Sequence, residues 1–466
     1  KRPHDFYRWL DLAMMIVPLV AMTLRTERFA VLVVLPLSLF VVLGVKAARR
    51  LLARFLIAPV VFLALFFLCV PFPVVHAHVV ARRILPIMDD TWYESLAELS
   101  ARTPENAVVH SWWPPGHFIT GVAGRRVSID GATQHLPSAY WVARAFLAPE
   151  EGEAAGIFRM IHGGGNGALE HLEKRGMDLA GAVSLILTLV PLPREEAERL
   201  LPDWMDEEEK ARFLDETHGA TRPLPTYVLL YDDMIEQNLA MAIVARWDFQ
   251  KAAEVRREST RKRAQRRADL WRHAAAWPGR MLLEAAPYGC ANRAAQAIVG
   301  GALGLPGQKI QAEEKSYLDE VLEISHGILK YTPEAKLEKK EGDTLFFANG
   351  LMVNLPTRDA MVAVVGKGVM GSPLSLFYIQ DGRLIEKMYE GERIDSSALL
   401  IERNGEYASV LANRELIRSM LFRLYYLGGE GLQFFRPFSS RKDPLMKTEI
   451  DVYELDWDAF VRKEAT

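Results

Sequence analysis

Charged residues vanish from a long stretch near the start of the chain. Phe55 to Val75 runs about 21 positions without one, enough for a helix across a hydrocarbon core of roughly 30 Å. Phe29 to Val45 is shorter and sits at the low end for a span. Leu12 to Leu24 is shorter still and needs its charged flanks to snorkel. Lys46, Arg49, Arg50 and Arg54 crowd the loop between the second and third blocks. Basic residues concentrate in short cytoplasmic loops, so this loop is placed inside and everything after about His76 outside.

Beyond the apolar blocks the pattern becomes that of a mixed fold. Asp89 and Asp90 can cap a helix to about Ala101, with Trp92, Leu96 and Leu99 on one face. Thr103 to Asn106 reads as a turn and Ala107 to Trp113 as a short buried strand. A helix is predicted from Ser138, and another from Pro149-Glu150-Glu151, whose first turn carries proline and acids as the dipole prefers. Residues 178–190 are nearly all apolar, and Tyr227 to Tyr231 is another short strand. From about Asp343 the period shifts to two. Asp381-Gly382 and Asn404-Gly405 each separate two apolar runs, the strongest short-range hairpin signal. Arg414 to Tyr426 returns to helical spacing, and Ile450 to Leu455 reads as a final strand.

Composition narrows the picture only a little. The formal net charge of −3 over 466 residues points away from a nucleic-acid binder. Cys69 and Cys290 are the only cysteines, too few for a disulfide framework. Arg256 to Arg267 is densely basic, which reads as a solvated helix face or as a contact to anionic headgroups. His162-Gly163-Gly164-Gly165-Asn166-Gly167 lacks the lysine and hydroxyl spacing of a phosphate loop and reads as a turn. His76 and His78 have no acidic or cysteine partners near them in sequence. Asp89-Asp90 reads as a helix cap and Asp232-Asp233 as a helix start, so the acids form no metal cluster. No Asn-X-Ser/Thr occurs anywhere in the chain.

The informative segment is Thr103 to Glu151. His110-Ser111-Trp112-Trp113-Pro114-Pro115-Gly116-His117 places two tryptophans after a strand, with glycine three positions later. An aspartate (Asp130), a helix and the pair Glu150-Glu151 follow. This resembles the Trp-Trp-Asp-Tyr-Gly signature and its context in oligosaccharyltransferase catalytic subunits. Arg25 to Ala30, Thr226 to Asp248 and the hairpins before Met420 to Gly428 are similar to further parts of that family, in order. Residues about 249–330 look like an insertion.

What the resemblance implies is transfer of a lipid-pyrophosphate-linked glycan to asparagine in Asn-X-Ser/Thr. The fold it implies is a set of α-helical membrane segments followed by a mixed α/β extracytoplasmic domain with a β-rich C-terminal module. Residues 1–75 would be the last transmembrane helices of a larger membrane domain, and 76–248 the α/β domain with the tryptophans. Residues 249–339 would be a basic helical insertion, and 340–466 the β-rich module with one packed helix. Trp112 and Trp113 would bind the acceptor sequon, their indole N–H groups donating from a rigid apolar frame. Met234 would contact the sequon side chain, although Gln237 departs from the family pattern three residues later. Arg28 would lie near the lipid-pyrophosphate. The partners implied are a lipid-linked oligosaccharide, an acceptor polypeptide and a membrane, with no nucleic acid. The cofactor implied is Mg²⁺ or Mn²⁺, held by carboxylates upstream of this chain, so no catalytic residue is expected within it.

The pattern breaks at Pro114 and Pro115, which replace the motif's aspartate and tyrosine. Proline brings neither a side-chain acceptor nor a backbone N–H. Neutral His117 can serve as an acceptor in their place. Two alternatives therefore stand beside the transferase: a polyprenyl-phosphate-sugar glycosyltransferase with a non-peptide acceptor, and a non-catalytic membrane-anchored peptide-binding homologue.

Overall fold

The structure is a computed structural model and describes residues 75, 88–133, 137–219, 223–251, 331–364, 369–391, 393–443 and 448–464. The three apolar blocks (Val75 apart), Arg28, His76, His78, both cysteines and the basic run Arg256 to Arg267 lie outside the described residues. Among the described residues no helix is long and apolar enough to cross a membrane.

Two sheets organise the chain. The first has five strands in the order β13-β14-β3-β1-β2. They are β1 (Val108–His110), β2 (Arg126–Val127), β3 (Thr226–Tyr231), β13 (Phe435–Asp443) and β14 (Thr448–Leu455). β1 pairs parallel with both β2 and β3, whereas β14 runs antiparallel to β3 and to β13. All six residues of β3 are buried. Such an unbroken apolar run is what a strand covered on both faces requires.

Helices surround this sheet, and three of them, from Asp90, Pro137 and Glu151, form where the sequence predicts them. They include α1 (Asp90–Arg102), α3 (Pro137–Leu147), α4 (Glu151–Gly163), α6 (Leu179–Leu189) and α8 (Glu207–His218). Between α1 and α3 lies the short turn α2 (Gly116–Phe118), prolonged to Ala123 by wider π-type turns. α1 buries Trp92, Ser95, Leu96 and Leu99, the stripe its spacing predicts. α8 opens on a capping box in which Asp206 and Glu209 exchange side-chain and backbone hydrogen bonds. The glycine run after α4 is a tight packing point. A Cβ on Gly164 would lie 2.3 Å from the Glu216 carbonyl oxygen.

The second sheet has nine strands in the order β10-β9-β11-β12-β4-β5-β6-β7-β8. Its strands run from β4 (Ala335–Glu341) through β7 (Ala360–Val364) and β8 (Val369–Gly371) to β12 (Glu406–Ala412), and among these strands only β9 and β11 pair in parallel. β5 (Thr344–Phe347) and β6 (Leu351–Asn354) alternate inward and outward residues. Leu345, Phe347, Leu351, Val353, Leu376 and Leu400 close one core. Both hairpin turns form as predicted. Asp381-Gly382 joins β9 (Ser375–Gln380) to β10 (Arg383–Met388), and Asn404-Gly405 joins β11 (Ser397–Arg403) to β12. All four turn residues have positive φ, which matches the right-handed twist of the strands.

The helix predicted over Arg414 to Tyr426 is two helices, α11 (Arg414–Arg418) and α12 (Met420–Leu427). Ser419 between them is extended, with ψ 151°, and its hydroxyl accepts from Phe422 N. The apolar spacing carries through the break, so periodicity alone reads it as one element. The expected span 340–466 also contributes to both sheets, because β13 and β14 return to the first. A last helix, α13 (Trp457–Glu464), ends the described chain.

Candidate functional site

Parallel pairing of β1, β2 and β3 sends three connections out of one edge of the first sheet. Val108 pairs with both Arg126 and Thr226, and His110 with Val228. The residues after β1 are Ser111 to Gly116, those after β2 are Ser128 to Gly131, and those after β3 form α9 (Asp232–Glu236) with Met234. Carboxyl ends of parallel strands are where open α/β sheets place ligands.

The tryptophan turn is set by its neighbours. Gly116 N donates to Trp113 O at 3.2 Å and Ile119 N to Pro115 O at 2.9 Å. Pro114 and Pro115 fall where a helix start leaves N–H groups unused, so the turn loses no internal bond through them. Trp112 is 1% exposed, a core residue; Trp113 is half-buried. Each indole Nε1 is buried without a hydrogen-bond partner among the described residues.

Gly116 is where the turn meets the next connection. A Cβ there would sit 2.6 Å from both Asp130 Cβ and the Ile129 carbonyl oxygen. The contact brings His117 against Asp130, with Nδ1 3.6 Å from Oδ2. The His117 side chain is 62% exposed. Asp130 is itself locked, its Oδ1 accepting from Ala132 N, Thr133 N and Thr133 Oγ1, each at 2.9 Å. Burial pushes its pKa up, but the Thr133 hydroxyl, the two amides and His117 outweigh that and hold it below the ordinary value.

Beneath the turn lies a pair of histidines that the sequence reading did not single out. His110 is fully buried, stacked 4.3 Å from Phe158, with Nδ1 3.1 Å from Ser128 Oγ. Burial, with His162 nearby, lowers its pKa to about 3, so it is neutral at physiological pH. His162 Nδ1 lies 3.2 Å from Thr226 Oγ1. Its pKa is lowered too, by burial and then by Arg126. His110 lies two positions before Trp112, and a histidine at the end of a buried strand is the signal available in the sequence.

Met234 is fully buried in α9. The topology therefore puts Trp112, Trp113, His117 and Met234 on one sheet edge, with Trp113 and His117 the two that reach solvent. Beside Met234, burial and the Asp233 carboxylate raise the Asp232 pKa to about 6. Among the described residues no group of three or more histidine, cysteine, aspartate or glutamate side chains fits a metal ion.

No family model matches the chain. Over 171 residues it is 33% identical to a dolichyl-phosphooligosaccharide-protein glycotransferase of Methanococcus voltae, covering 35% of this chain and 18% of that one. Over 177 residues it is 29% identical to the protein of the same name from Methanocaldococcus jannaschii, covering 37% and 19%. The matched part is thus less than a fifth of either relative. The crystal structure of the C. jejuni pglb C-terminal domain matches 78% of this chain and 98% of that one, at 10% identity and a TM-score of 0.38. That likeness is too loose to carry an argument. The two archaeal relatives bear out the resemblance to oligosaccharyltransferases, and over the matched part the chain is related to protein glycotransferases.

Proposed function

We propose that this chain is the acceptor-binding part of a membrane oligosaccharyltransferase, the whole protein transferring a lipid-linked oligosaccharide to asparagine. The observation that carries the reading is the pair of buried, unbonded indole N–H groups at the carboxyl edge of β1 and β3. A buried donor without a partner is costly. A bound hydroxyl on the acceptor chain would relieve that cost at Trp113, which has a solvent-facing side. Trp112 and Met234 would form the wall behind it, since both are in the core. A site built to bond a hydroxyl rejects an isosteric methyl, because its own polar groups then go unpaired. Arg28 and the apolar blocks would meet the lipid carrier, with the described domain outside the cytoplasm. A divalent cation bound by other parts of the protein would activate the acceptor amide. The described residues would bind and orient the acceptor.

Pro114 favours the second reading, a peptide-binding homologue without transfer. Both are tested with the full-length membrane protein, lipid-linked oligosaccharide, Mn²⁺, and peptides with Thr or Val two positions after asparagine. The expected result is transfer to the Thr peptide. W113A should cut its kcat/KM about tenfold to a hundredfold, the cost of one buried hydrogen bond, with little effect on the Val peptide. If W113A keeps the Thr-over-Val preference, the tryptophan assignment falls. Peptide binding without transfer supports the second reading.

A further inference from the structure

We infer that Asp130 is a positioning residue that holds the His117 imidazole with its proton on Nδ1, leaving Nε2 to accept the hydrogen of the acceptor hydroxyl. The inference rests on the acceptor-binding reading and names the group that takes over where Pro114 offers none.

A hydroxyl that receives an indole N–H still has its own O–H to place. Within the tryptophan turn, Pro114 and Pro115 have no side-chain acceptor. His117 is the next polar side chain along the chain, and it is largely exposed. Imidazole accepts through only one nitrogen, and the hydrogen bond made by the other decides which. Here the other nitrogen, Nδ1, faces a carboxylate oxygen at 3.6 Å. That distance is longer than a formed bond, as catalytic and binding contacts often are before the ligand arrives.

The carboxylate cannot swing away. Three donors hold its Oδ1, and Asp130 N returns a bond to Thr133 Oγ1 at 2.8 Å. Oδ2 is left for the imidazole. Two glycines admit this arrangement. Gly116 allows the turn to approach Asp130, and a Cβ on Gly131 would stand 3.2 Å from His117 Nε2. A carboxylate fixed on one nitrogen and clearance at the other make a one-directional acceptor.

The test is a double-mutant cycle on the full-length protein, reading kcat and KM separately for Thr and Val peptides. D130N keeps an oxygen for Ala132 N and Thr133 N, so the turn survives while the charge facing Nδ1 is lost. H117Q supplies an amide oxygen that needs no tautomer. D130N should lower the Thr-over-Val ratio about tenfold, through KM of the Thr peptide, when His117 is present. In the H117Q background the same substitution should change the ratio less than twofold. An equal loss in both backgrounds would mean that Asp130 only shapes the loop, and would overturn the inference. So would an unchanged ratio in D130N and H117A while W113A abolishes it, an outcome that leaves the acceptor-binding reading intact. A wild-type protein with no Thr-over-Val preference would remove that reading and this inference together.

Discussion

At the scale of single residues, Gly116 shows how a motif position becomes a packing constraint. The space a methyl would need is already filled by Asp130 Cβ and the Ile129 carbonyl oxygen, both at 2.6 Å. Overpacking of this kind costs about 1–3 kcal/mol. Gly116→Ala should therefore lower the urea midpoint and weaken peptide binding together, because the displaced parts are His117 and Asp130. A variant that loses stability by that amount but keeps its Thr-over-Val ratio would separate the packing from the site. His110 makes a second prediction, on pH. Its folded pKa is lowered to about 3 from about 6.5 when unfolded. The unfolded chain thus binds more protons between these values, and stability falls as pH drops through that window, by up to about 1.4 kcal/mol per unit. His218, lowered to about 3 by burial and then by Arg159, works in the same direction. Asp232 works in the opposite sense, its raised value of about 6 contributing stability below its unfolded pKa that is lost as pH rises through 6. His110→Phe isolates one of these groups. The difference in unfolding free energy between wild type and this variant should grow more negative from pH 6.5 to 4. A flat difference would mean that His110 titrates normally. The displacements at His110 and His218 were not legible in the sequence, since burial by the folded chain is their largest cause.

Elements were legible where their cause is local. The two hairpins form at Asp381-Gly382 and Asn404-Gly405 because Asp, Asn and Gly tolerate the positive φ that the tight turn demands. α1, α3 and α4 follow their stripes and flanking prolines. The break at Ser419 was not legible, because Ile417, Leu421 and Leu424 keep helical spacing across it. Its cause is tertiary: Met420 N donates to the Ala148 carbonyl just after α3 at 3.0 Å, not back along its own helix. Ser419 then caps the new helix, so Ser419→Ala should cost about 1 kcal/mol, read as a lower urea midpoint with an unchanged m-value. The start of α4 is held more firmly. The Glu151 carboxylate, 8% exposed as a residue, accepts from Gln433 N at 2.8 Å and Phe434 N at 2.5 Å. Glu151→Ala leaves two backbone donors without an acceptor and should cost about 2–5 kcal/mol. A loss below about 1 kcal/mol would show that water replaces the carboxylate there. The acidic pair that helped carry the family resemblance is, at Glu151, a fastening between α4 and the chain entering β13.

At the scale of the whole molecule, the first sheet is assembled from segments that are remote in sequence. β1 and β2 come from the tryptophan region, β3 from about a hundred residues later, and β14 from near the end of the described chain. Period and turn signals find such strands one by one but carry nothing about which strand pairs with which, so the partition at residue 340 missed the return of β13 and β14. That return has a consequence for the site. β14 is hydrogen-bonded along the antiparallel side of β3, and α13 closes over the start of the same strand. Trp457 Nε1 donates to Leu224 O and to Thr226 Oγ1, each at 3.1 Å. Phe460 is 2% exposed and packs against Phe434. Removing residues 435–466 would leave β3 as an edge strand with its fully buried face uncovered, and Thr226 would lose its indole donor. Since β3 also pairs with β1, which leads directly into Trp112 and Trp113, the shortened protein should lose acceptor binding although no proposed acceptor contact has been deleted. It should also unfold with a smaller urea m-value than the intact chain, because less buried surface remains to expose. A shortened protein that still prefers the Thr peptide would show instead that β1, β2 and the tryptophan turn hold their geometry without the returning strands.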